Sequence, residues 1–148
     1  MGLRNLTFRA FIHATEDPEK VRVAVRFVSG RSAMEESRSE GVHGNPIAVV
    51  ESTVKKAKEI DVAMRRFSPD DLRVLIDSAE KRIDEQGDFY FRLRKQDAYE
   101  GRVSLADGDD PEGDIISARG RIEAYPMKRE KVLASIREYL NGLLVDSQ

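Results

Sequence analysis

Cysteine and tryptophan are absent from the 148 residues, and histidine occurs only twice. Without cysteine, disulfides and thiolate metal sites are excluded. Two histidines are too few for an imidazole-rich metal centre, so no metal and no cofactor is expected. No apolar run approaches the ~18 residues that a membrane span needs. The first apolar stretch is broken by Arg9, unlike the basic-then-apolar layout of a secretory leader. A soluble cytoplasmic protein with no membrane partner is the expectation. Charge of one sign is also lacking: 25 basic side chains face 27 acidic ones, for a net charge of -2. Taken alone, that sum argues against nucleic acid, whose binding domains tend to be strongly basic. Its distribution matters more. Residues 107–114, DGDDPEGD, hold five acidic side chains and no basic one; outside them 25 basic residues stand against 22 acidic. The Gly, Pro and Asp content of this stretch reads as a loop. The remaining surface either carries a basic face or is a mixed, solvated one.

Hydrophobic residues make up 40% of the chain and charged residues 35%, enough for one core in one domain over residues 1–148. Residues 3–14 alternate: Leu6, Phe8, Ala10 and Ile12 on one face, Thr7, Arg9, Phe11 and His13 on the other, the period of a half-buried strand. A helix follows, with Thr15 or Asp17 as its cap, Pro18 in its first turn and Ser29-Gly30 at its end. The polar residues 31–41 read as a weak edge strand. GVHGNPI (41–47) is a compact turn, and the β-branched residues 46–54 a strand. Two helices come next, one over about 55–67 and one launched by Ser68-Pro69-Asp70-Asp71 with an apolar stripe reaching Ile83. Residues 88–95 alternate again, with Phe89, Phe91 and Leu93 inward and Tyr90, Arg92 and Arg94 outward. Residues 97–106 read as a connector. Residues 114–125 form a strand with Arg119, Arg121 and Tyr125 on its polar side, broken by Pro126. A helix over about 127–144 closes the chain. The order is β-α-β-β-α-α-β-β-α. Strands apolar on one side only indicate an α+β fold, a mainly antiparallel sheet with helices on one face.

Three outward strand faces collect arginine and aromatic residues: Arg9, Phe11 and His13; Tyr90, Arg92 and Arg94; Arg119, Arg121 and Tyr125. Guanidinium groups pair bidentately with phosphates, and aromatic faces stack on unpaired bases. Sheet surfaces of this kind bind single-stranded RNA; equally, long arginines keep an exposed sheet soluble. The turn holding His43, Gly44 and Asn45 offers backbone amides for a phosphate or serves geometry only. It is no P-loop, because the Gly-Lys-Ser/Thr ending is absent. Lys128, Arg129 and Lys131 place positive charge at a helix start, where an anion would relieve the dipole and where Glu130 alone also suffices. An enzyme is the competing class. Asp109 and Asp110 could bind magnesium and His13 and His43 could meet in space, but no nucleophile with a partner at a recognised spacing occurs.

Four segments carry a resemblance: FRAFIHATEDPEKV (8–21), GVHGNPI (41–47), FYFRLRKQDAYEG (89–101) and RIEAYPMKREKV (121–132). Together they resemble the archaeal family of predicted RNA-binding proteins described as a predicted exosome subunit. The resemblance spans nearly the whole chain. It implies a fold similar to the ribosomal protein that holds 5S ribosomal RNA, an archaeal cytoplasm, and RNA, single-stranded or structured, as partner. RNA-processing complex proteins are the further partners implied. It supplies no catalytic residue. Its segments overlap Arg9, His13, His43, Gly44, Asn45, Arg92, Arg94, Lys95, Gln96, Tyr99, Lys128 and Arg129. The expected function is therefore non-catalytic RNA binding, in RNA processing or ribosome maturation. An interaction subunit that docks on protein through the same face is the alternative, and a hydrolase acting on RNA the third. The acidic loop at 107–114 has no counterpart in the resemblance.

Overall fold

The computed structural model describes residues 2–40, 46–106 and 108–147. Five strands form one sheet: β1 (Leu3–Ile12), β2 (Glu35–Glu40), β3 (Pro46–Val54), β4 (Asp88–Arg94) and β5 (Ile115–Ile122). Their spatial order is β2-β3-β1-β5-β4, and every neighbouring pair is antiparallel. The helices are α1 (Pro18–Ser29), α2 (Ala57–Met64), α3 (Pro69–Asp77), a short α4 (Lys95–Tyr99) and α5 (Arg129–Asp146). The expected α+β class, the antiparallel sheet and the sequence of long elements are as observed.

Alternation explains why the sheet has one dry face. Leu6, Phe8, Ala10, Ile12, Phe89, Phe91, Leu93, Ile116, Ala118 and Ile122 are all buried. They meet the apolar stripes of the helices, including Val21, Ala24, Val25 and Val28 of α1, Ile60 and Met64 of α2, and Ile136 and Leu140 of α5. Phe91 sits at the centre, edge-on to Phe8 at 6.3 Å and to Phe67 at 5.4 Å. Burying a side chain of this size contributes about 1.5–3 kcal/mol, and edge-to-face ring contacts add to it. Gly120 lies on the same dry face. A Cβ there would stand 2.9 Å from Leu3 Cδ2 and 3.0 Å from the Asn5 carbonyl, so the close approach of β1 to β5 requires glycine.

Caps fall where the side chains allow. Asp17 accepts from the Glu19 amide at 3.0 Å, Ser68 accepts from the Asp71 amide at 3.2 Å, and Gly30 closes α1 with φ of +70°. Two expectations are corrected. The stripe ending at Ile83 is not one helix: α3 stops at Asp77, Ser78 Oγ donates to the Val74 carbonyl at 2.6 Å, and Ala79–Arg82 tighten into a 3-10 turn. Ile83 is then free to bridge Phe89. The connector after Arg94 contains the single helical turn α4, packed on α1. Beyond it the chain pairs with the outer edge of β4, the Arg94 amide donating to Ser104 O at 3.0 Å and the Ala106 amide to Arg92 O at 2.8 Å. That segment shields one edge of the sheet, while β2, rich in charge, forms the other. No helix among the described residues is long and apolar enough to cross a membrane.

Candidate nucleic-acid interface

The helices occupy one face of the sheet, and the alternate side chains of the strands populate the other. Register sorts them into rows. Tyr90, Arg119, Thr7 and Thr53 lie side by side across β4, β5, β1 and β3. Arg92, Ser117, Arg9 and Glu51 form the row on one side of these, and Asp88, Arg121 and Asn5 the row on the other side of Tyr90, Arg119 and Thr7. Strands are ~4.8 Å apart, so Arg92 and Arg9 flank the small Ser117 with their backbones about 10 Å apart. Long cations thus stand on both sides of Ser117, and guanidinium groups are suited to bidentate pairing with phosphates.

Tyr90 is held in place. Its hydroxyl donates to Asp84 Oδ2 at 2.8 Å, and Arg119 reaches the same hydroxyl. Asp84 in turn accepts the amides of Gln86 and Asp88 at 3.0 and 2.9 Å, in a turn that Gly87 completes with φ of +84°. Desolvation opposes ionisation of Asp84, but these three donors hold its carboxyl below the usual range. The bond to Asp84, followed by desolvation, pushes the Tyr90 hydroxyl up, so the ring stays neutral at ordinary pH. An aromatic ring fixed at its far end loses little entropy when a base stacks on it. Phe11 is the second exposed ring, with the Arg9 guanidinium 5.4 Å from its centroid.

The other expected residues separate into groups. Arg9, Phe11, Tyr90, Arg92, Arg94, Arg119 and Arg121 share the open face. Arg121 is engaged there by Asp88 at 2.8 Å and the Gln86 carbonyl at 3.0 Å. Arg94, Gln96 and Tyr99 line a cleft of about 500 Å³ between α1, α4 and the loop before β5; the Lys20 ammonium stands 5.2 Å from the Tyr99 ring centroid. Lys95 is next to Arg94 in sequence but turned inward and buried. Its ammonium donates to Glu16 at 3.1 and 3.2 Å, to Phe11 O at 3.0 Å and to Gly113 O at 2.5 Å. Its charge is satisfied inside the fold rather than offered to a ligand. His13 is half-buried, its ring against Gly113 and its Nε2 enclosed without a partner among the described residues. Lys128 and Arg129 lie at the start of α5, in the helical layer. Arg129 donates to the Ile83 and Glu80 carbonyls at 3.4 and 2.8 Å and so ties α5 to the 3-10 turn. His43, Gly44 and Asn45 fall outside the described residues. Among the described residues no group of three acidic or histidine side chains could hold a metal ion.

Sequence reasoning missed two features of the face. Glu51 pairs with Arg9 at 3.4 Å and stands opposite Glu35, so two carboxylates, with Arg31 and Lys55 beside them, border the arginines of β4, β5 and β1. Asp84 was also missed as the tether of Tyr90; the turn sequence Asp84–Asp88 was its one available signal.

A helix-backed antiparallel sheet with an open arginine- and tyrosine-bearing face defines this as an α+β protein. The model of the family described as RNA binding matches residues 5–122, and the chain belongs to that family. It is 38% identical over 148 residues to the RNA-binding protein PAB1135 of Pyrococcus abyssi, a match covering 93% of this chain and 94% of that protein. Among solved structures it resembles Mth689, a DUF54 protein from Methanothermobacter thermautotrophicus, with a TM-score of 0.80 and 34% identity over 95% of this chain and 99% of that one. AF2318 from Archaeglobus fulgidus gives a TM-score of 0.75 at 33% identity, over the same shares of the two chains.

Proposed function

We propose that this protein binds RNA, as the name of its Pyrococcus relative says of that protein, and does so without catalysing a reaction. The β4–β5–β1 part of the open face is the contact surface of a single domain spanning residues 1–148. One observation carries the reading: a tethered Tyr90 ring beside Arg119, with Arg92 and Arg9 flanking Ser117 and Phe11 exposed next to Arg9. Arginines take the phosphates and the two rings take unpaired bases, which favours single-stranded or loop RNA over a regular duplex. Base stacking contributes about 1–3 kcal/mol per ring. Gln96 and Tyr99 extend the surface around the β4 edge, whereas Lys95 and Arg129 support it from within. The setting is RNA processing, in association with an exosome, or ribosome maturation, in the cytoplasm.

Ultraviolet crosslinking of the chain to a single-stranded RNA, with the attached peptides sequenced, tests this. Crosslinks are expected on the peptides containing Phe11 and Tyr90. Crosslinks confined to the helical layer, at α2, α3 or α5, would reject the open face.

A further inference from the structure

The acidic loop before β5 is fastened at both ends to the arginines of β4. The chain leaves the β4 edge at Ala106, bonded to Arg92, and returns at Ile115, paired with Arg94. Near its end the Gly113 carbonyl is gripped by the buried Lys95 ammonium at 2.5 Å. Ile115 occupies an open-face register position and is nonetheless only 3% exposed, so the face is closed over at this end. Asp110 Oδ2 approaches Arg94 Nε to 3.4 Å, and the Asp110 side chain is less exposed than its partner, 25% against 45%. A carboxylate on a guanidinium occupies the position that a phosphate oxygen would take. Its neighbours Asp109 and Asp114 add charge of the same sign, and residues 107–114 hold no basic side chain.

The geometry points to this loop as a built-in phosphate mimic that competes with RNA for the Arg94 end of the sheet face and so sets specificity. The inference rests on the open-face reading above. A generic polyanion meets carboxylates beside Arg94 and loses part of the face. An RNA that also stacks on Tyr90 and Phe11 and pairs with Arg92 and Arg119 gains enough elsewhere to displace them. Discrimination then comes from a repulsive element as well as an attractive one, by like-charge juxtaposition of the kind that suppresses wrong partners.

The test uses the full chain carrying Asp109→Asn and Asp110→Asn, substitutions that keep size and hydrogen-bonding capacity, with Asp109→Asn alone as a milder companion. Fluorescence anisotropy with a labelled oligouridylate follows binding at several salt concentrations, and thermal melting checks folding. Affinity for this generic RNA should rise about three- to tenfold at low salt, a gain that shrinks as salt screens it. Adding Arg94→Ala should reduce the gain, because the contested cation is then absent. Unchanged or weakened binding by a folded variant overturns the inference, as does an equal gain with Arg94 removed. The two readings fail differently. If neither the native chain nor the variant binds RNA, the open-face reading falls and this inference with it. If the native chain binds and Arg92→Ala weakens it while the aspartate changes do nothing, the loop inference alone falls.

Discussion

Replacing Lys95 with alanine separates a structural role from a binding one. The side chain is 7% exposed and joins three parts of the fold: the end of β1 through Phe11 O, the turn before α1 through Glu16, and the acidic loop through Gly113 O. Removing one member of a buried ion pair costs about 3–5 kcal/mol, because the other is left as an uncompensated charge. The Glu16 side chain is 28% exposed and keeps the His13 amide as a donor at 3.0 Å, so water and that bond recover part of the loss. The expected destabilisation is about 2–4 kcal/mol, which for a chain of this size lowers the melting temperature by roughly 5–15 °C. Urea unfolding followed by circular dichroism measures it, with the slope against denaturant unchanged if the transition stays two-state. Changing Lys95→Met together with Glu16→Gln should restore more than half of the loss, since the pair is then removed as a unit. RNA affinity per folded molecule should not fall, since Lys95 touches no RNA, and it rises to the extent that the acidic loop is released from Gly113. A stability loss below ~1 kcal/mol, or a tenfold loss of RNA affinity in a protein of native stability, would refute the assignment of Lys95 to the interior.

Two further outcomes concern the scaffold. The Tyr139 hydroxyl donates to Asp61 at 2.6 Å, and burial, then this bond, raises its pKa far above the usual tyrosine value of 10.0. The folded state therefore favours the neutral phenol; the contribution is complete below pH 10 and is lost as pH rises above it, when the unfolded chain ionises first. Unfolding free energy should fall from about pH 10 upward, and less steeply in Tyr139→Phe, which at neutral pH costs about 1 kcal/mol. Gly120→Ala should destabilise by about 1–3 kcal/mol in chemical denaturation, because the Asn5 carbonyl it would crowd is backbone and cannot step aside.

Period-2 patterning made the sheet legible. Leu6, Phe8, Ala10 and Ile12, and Phe89, Phe91 and Leu93, alternate without interruption, and a register error by one residue would expose every one of them. The polar stretch 31–41 was readable as an edge for the opposite reason, since Glu35–Glu40 carries the charges that an edge tolerates. Elements defined by few residues were not legible. The turn Lys95–Tyr99 is too short to show a helical period, and Ser78 ends α3 by a local hydroxyl bond that patterning does not register. The site was legible in identity and not in grouping. Outward parity placed Arg9, Tyr90, Arg92 and Arg119 correctly, but only the strand order β2-β3-β1-β5-β4 makes them neighbours and puts Glu51 and Glu35 beyond them. Parity puts Lys95 in step with the inward Phe89, Phe91 and Leu93, and it lies buried as they do; its charge, not its position, made it read as a surface contact.

The salt dependence of RNA binding by the native chain, compared with the Arg119→Ala variant, tests the central claim most directly. Each phosphate neutralised on a single strand contributes about -0.7 to the slope of log affinity against log salt. If Arg9, Arg92 and Arg119 each hold one phosphate, the native slope is about -2, and Arg119→Ala makes it shallower by about 0.7 while weakening binding to all sequences alike. Binding that does not respond to salt, or a slope and affinity unchanged by Arg119→Ala, would contradict the open sheet face as the place where RNA sits.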